Sequence, residues 1–204
     1  MKRIQQIQSG LRNPNWQDET LKKSLLKAIQ HPNFYKSSEG QKFITSLFIH
    51  EHLVKDIHKA FKAILPGLAK NEASQIGEIY LKAWTLHLGN ERIVQIIEED
   101  CVQNFMYHCI LAQRKKSKLF EPLLAFLLPF HSSKANKKVQ EMVHRLWQPL
   151  LWRYLKVANA EVRCNAVQIL SDAFPLEEPE AELEVRAAAL EAQVQCFLGN
   201  LNMI

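Results

Sequence analysis

Histidines and cysteines are the first places to look for chemistry in this chain. His50, Glu51 and His52 are adjacent, with His58 close behind. A metal-binding helix sets its histidines four apart on one face, whereas positions two apart diverge by about 200°. His50 and His52 therefore do not read as a chelating pair. Cys101, Tyr107, His108 and Cys109 share one apolar segment. Cys109 and His108 could serve as nucleophile and base, but nothing in the sequence orients the imidazole. Core packing is the better reading of these residues. The four cysteines form no C-x-x-C pair, and no phosphate loop, dinucleotide fingerprint or G-x-S-x-G elbow occurs. The expectation is a protein that is not an enzyme and uses neither metal nor cofactor.

Cationic side chains offer more. Residues 1–70 carry a net charge of +7, residues 71–113 of −4, residues 114–156 of +8 and residues 157–204 of −6. Two basic blocks alternating with acidic ones suggest patches that meet a polyanion. The sharpest cluster is Arg114, Lys115, Lys116 and Lys118, followed one helical hairpin later by Lys134, Lys137, Lys138 and Arg145. On a wheel of about 100° per residue, Lys137, Lys138 and Arg145 fall within about 60° of Lys134. Val139, Met142, Val143, Leu146 and Trp147 lie across it. These eight cations are the candidate DNA-binding residues, because such clusters drive sequence-independent phosphate contact. A merely solvated helix face is the competing reading.

The elements that must carry these residues are helical throughout. The chain is 47 % hydrophobic and 23 % charged, a globular balance, and has only six glycines. Period-two alternation and Asn-Gly or Asp-Gly turns are missing. Apolar stripes at helical spacing run through Leu21–Ile29, Phe43–Leu65, Ile76–Trp84, Ile93–Met106, Pro122–Phe130 and Val139–Trp147. Expected breaks are His31-Pro32-Asn33, Pro66-Gly67, Gly89, Pro129 and Pro149, the last starting or kinking a shorter helix to Val157. Residues 39–65 read equally well as one bent helix or two. Asn71 and Asn90 are expected to open helices. The longest apolar run, Pro122–Phe130, is far below the ~20 residues of a membrane span. Nine or ten helices with short turns fit a bundle or an α-solenoid, and helix pairs every ~40–47 residues are the HEAT and armadillo period.

The stretch NAEVRCNAVQILSDAFP, residues 159–175, is informative in itself. Asn159 is a good N-cap, and Glu161 suits the positive end of the helix dipole. Val162, Ala166, Val167, Ile169, Leu170 and Ala173 form a stripe to bury, and Arg163 is placed to bond a neighbouring turn. Val162-Arg163 followed by Ala166 and Leu170 resembles the second helix of a HEAT repeat. The wider run WQPLLWRYLKVANAEVRCNAVQILSDAFPL, residues 147–176, resembles the non-SMC, HEAT-repeat G-type subunit of condensin II. So do EGQKFITSLF at 39–48, EIYLKAW at 78–84 and IEEDCVQNFMYHCI at 97–110, in matching order and spacing.

The resemblance covers about residues 11–176. It implies an all-α fold, a HEAT-repeat-type α-solenoid segment of antiparallel helix pairs. Residues 1–176 are then one HEAT-like domain. Residues 177–204 depart from the family as an acidic helical tail, a possible polar cap for the open end of the stack. Family members are several times longer, so the chain reads as a shortened or diverged member. The implied function is a non-catalytic scaffold in mitotic chromosome condensation, in the nucleus and on the chromosome. Its implied partners are the condensin II kleisin subunit, the SMC ATPases indirectly, and double-stranded DNA or chromatin, with no membrane role. The alternative is a protein–protein adaptor whose basic faces meet acidic peptides.

Overall fold

A computed structural model describes residues 18–173, and the expected acidic tail helix over 177–204 lies outside them. Helix α1 (Glu19–Ile29) starts on Asp18, whose carboxylate accepts from the N–H groups of Thr20 and Leu21. Pro32 ends one helix and opens another, the short α2 (Pro32–Tyr35), where its missing N–H costs nothing. Ser37 caps α3 (Ser38–Leu47) by accepting from Gly40 N–H. Residues 48–50 break the next stretch, so 39–65 is two helices, α3 and α4 (Glu51–Ile64). A 3-10 turn, Leu65–Gly67, leads to α5 (Lys70–Leu86). This helix opens at Lys70 rather than Asn71. Glu72 reaches back to accept from Ala69 N–H, a cap that its own first turn supplies.

Asn90 opens the next rod as expected. It runs without a break through α6 (Glu91–Gln95), a π-helical segment (Ile96–Val102) and α7 (Gln103–Ile110). The apolar helix α8 (Phe120–Ser132) continues past Pro129, where a break is expected, and Pro149 starts no separate helix, because α9 (Lys137–Tyr154) runs through it. Packing outweighs the lost hydrogen bond at Pro129, which is buried against the α5 backbone at Gly77. Helix α10 (Ala160–Ala173) is capped by Asn159, which accepts from Glu161 N–H at 2.9 Å.

The helices alternate between two rows. Helix α1 packs on α4, α4 on the π segment, and α9 on the π segment and α7; in the other row α3 packs on α5, α5 on α8, and α8 on α10. Helices α4, α6 and α9 begin at residues 51, 91 and 137, intervals of 40 and 46 residues. This is the spacing of HEAT-like helix pairs. The described residues are all-α, with no strand and no helix long and apolar enough to cross a membrane.

One continuous core joins the rows. Its centre is Tyr80, ringed by Phe48, Phe61, Phe105 and Phe126 at centroid distances of 5.2–6.2 Å. Helices α5 and α8 also approach closely. A Cβ built on Gly77 would lie 2.1 Å from the Phe126 carbonyl oxygen, so only glycine lets these backbones meet.

Candidate nucleic-acid interface

Alternate turns of such a stack fall on opposite edges, and the two basic clusters divide accordingly. The 111–119 loop joins α7 to α8 on one edge. The 133–136 turn joins α8 to α9 on the other, roughly 18 Å away along α8. The eight cations therefore do not form one patch. Lys134 lies in the turn before α9, so it does not share that helix's wheel.

Three of the eight hold the fold together. Arg114 clamps the α7–α8 loop to α10. Its Nε donates to Asn165 Oδ1 at 2.6 Å, its Nη2 to Gln168 Oε1 at 2.5 Å, and its backbone N–H to Glu161. The guanidinium also stacks over Phe120, 3.9 Å from the ring centroid. Lys134 donates to the Ala173 carbonyl at the end of α10. Arg145 is bidentate on Glu98, with Nη2–Oε distances of 2.7 and 2.9 Å. The remaining five are Lys115, Lys116 and Lys118 on the first edge, and Lys137 and Lys138 in the first turn of α9 on the second; all five are exposed. No acceptor among the described residues forms an ion pair with any of them.

Two partners of these arginines were not singled out in the sequence. Glu98, only 5 % exposed, sits in the π segment and also accepts from Trp84 Nε1 at 2.8 Å. It thereby links α5, the central rod and α9. Asn165 is fully buried and donates to the Ile110 and Ala112 carbonyls, closing the C-terminal end of α7. A signal for it existed. Position 165 falls in the stripe of Val162, Ala166 and Ile169, where a polar residue must have partners. Arg163 donates to the Val157 and Ala158 carbonyls at 2.7 Å, so it bonds a neighbouring turn as expected.

The residues considered for catalysis are placed differently. Cys101 and Cys109 are fully buried, and burial raises both thiols far above their usual range. Cys109 Sγ donates to the Phe120 carbonyl, while His108 Nε2 lies 2.6 Å from Lys62 Nζ, so cysteine and histidine do not pair. His58 bridges the rows, its Nδ1 3.3 Å from the Tyr80 hydroxyl and its Nε2 3.2 Å from Asn104 Oδ1. Burial lowers its pKa to about 4, so the ring is neutral at pH 7. The His50 and His52 rings are 6.0 Å apart, and no group of three His, Cys, Asp or Glu able to hold a metal occurs among the described residues.

Known proteins resemble the chain over most of the described residues. The model of a family described as "Condensin II non structural maintenance of chromosomes subunit" matches residues 27–178, nearly the whole described stack. The chain is 37 % identical over 167 residues to a mouse protein named condensin-2 complex subunit G2, covering 81 % of this chain and 14 % of that protein. The human protein of that name is 37 % identical over 179 residues, covering 86 % and 15 %. The zebrafish protein is 32 % identical over 179 residues, covering 87 % and 15 %. The chain thus spans about one seventh of the length of these relatives. No solved structure matches it.

Proposed function

The chain belongs to the family of condensin II non-SMC subunits, and from that premise we propose that it is a non-catalytic scaffold of a condensin II-type complex. In this reading it joins the complex through the kleisin subunit, meets the SMC ATPases indirectly, and contacts DNA during mitotic chromosome condensation in the nucleus. The family match over residues 27–178 carries the reading, because it spans all of α3 to α10 rather than one motif.

The DNA contacts fall to the five lysines that the fold does not use. Lys137 and Lys138 support this by their position. The first turn of a helix favours acidic side chains, yet α9 has none there and presents two cations instead. Exposed ammonium groups with no internal partner neutralise phosphates without a matching base code, which gives affinity that falls steeply with salt.

The test is a titration of duplex DNA across a salt series with the full chain. Replacing Lys115, Lys116, Lys118, Lys137 and Lys138 with Ala is expected to flatten the log–log salt slope by about 4.5, near 0.9 for each phosphate left unneutralised. An unchanged slope removes DNA from the proposal and favours the adaptor reading.

A further inference from the structure

The first edge carries more than exposed lysines. The turn at 66–70 and the loop at 114–118 face each other across a cleft of about 670 Å³. One wall is the start of α5 and the other the start of α8. A Lys70–Glu121 ion pair of 2.7 Å ties the two helix starts together. Arg114 is taken up by α10, which leaves Lys115, Lys116 and Lys118 on this cleft with no ion-pair partner among the described residues. The lining is also apolar in part, with Pro66, Leu68 and the buried Phe120 and Pro122. The start of α8 adds donors. Leu119 provides no side-chain cap, and among the described residues no acceptor takes the Phe120 or Glu121 N–H.

We infer that this cleft binds a short acidic peptide segment carrying an apolar side chain. The volume lies in the range of clefts that enclose a ligand, and an apolar lining with a few polar groups is the usual make-up of such sites. Carboxylates meet Lys115, Lys116 and Lys118 and the open N–H groups of α8, while the apolar side chain covers Pro66 and Leu68. Charge complementarity decides the sign of the ligand. The apolar lining decides for a peptide over a nucleic acid, whose phosphate backbone has no side chain to bury there. The inference is separate from the DNA reading, which also has Lys137 and Lys138 on the far edge. A peptide in the cleft competes with DNA at the first edge alone.

The experiment measures fluorescence anisotropy of a labelled short peptide of Asp and Glu around a central Leu, added to the full chain. Two variants test the cleft. One replaces Lys115, Lys116 and Lys118 with Ala, and the other is Gly67→Glu. A Cβ at Gly67 meets nothing within 4 Å, so the new carboxylate enters the cleft mouth without a clash. Each variant is expected to weaken the peptide about tenfold at an unchanged melting temperature. Changing the central Leu of the peptide to Ser is expected to weaken it several-fold on the unaltered chain. Equal affinity for the Leu and Ser peptides overturns the inference, because the cleft is then only a charged surface. So does a Gly67→Glu variant that loses duplex DNA binding while the peptide binds as before.

Discussion

Removing the Arg145 side chain should destabilise the stack rather than strip a DNA contact. Its partner Glu98 is 7 % exposed at the side chain, against 56 % for Arg145. In Arg145→Ala the carboxylate keeps the Trp84 N–H and loses all three guanidinium bonds. Breaking a buried pair from one side costs about 3–5 kcal/mol. Water reaches the arginine side of the pair, which sets the figure lower. The expected loss is therefore about 2–4 kcal/mol at pH 7, or roughly 4–16 °C in melting temperature for a domain of this size. Replacing both residues with Met should recover most of the loss. Urea unfolding of the two variants measures both quantities. An Arg145→Ala chain as stable as its parent at pH 7, yet weaker on DNA, refutes the reasoning and returns Arg145 to the interface.

Other outcomes follow from the same geometry. His58 and His131 are buried, with pKa values lowered to about 4 and about 3 by loss of water. Their neutral forms are favoured by folding, so their stabilising contribution is full above the ordinary value of about 6.5 and is lost as pH falls below it. Unfolding at pH 5 should show a loss of about 2 kcal/mol for each relative to pH 7.5, reduced by about one such share in His131→Leu. Gly77→Ala drives a methyl into the Phe126 carbonyl and should cost about 1–3 kcal/mol in urea melts, with an unchanged helical circular dichroism signal. Asn165→Leu leaves the Ile110 and Ala112 carbonyls without these donors and should cost about 2–4 kcal/mol, read in the same melts.

Much of the architecture was legible because it rests on local signals. The caps at Asp18, Ser37, Asn90 and Asn159 and the apolar stripes between them are each contained in one helical turn or two. The interval between helix pairs follows from those starts. What the sequence hid depends on distant partners. Pro129 looks like a stop by local rules, and only the close packing on Gly77, 52 residues earlier, explains why α8 runs on. The π segment has no period of its own in a stretch that is apolar on most sides. The charge map marked two loops but could not sort their cations. Arg114 and Lys115 are neighbours in sequence, yet one is held by α10 and the other faces water. Glu98 and Arg145 lie 47 residues apart, and nothing local pairs them.

Complex membership is the centre of the account, and co-purification tests it most directly. The full chain, co-expressed with the condensin II kleisin of its own species, should stay with that kleisin through affinity capture and size-exclusion chromatography. It should do so equally when the five lysines assigned to DNA are Ala, because the fold does not use them. A folded chain that elutes alone under the same conditions contradicts the proposed role.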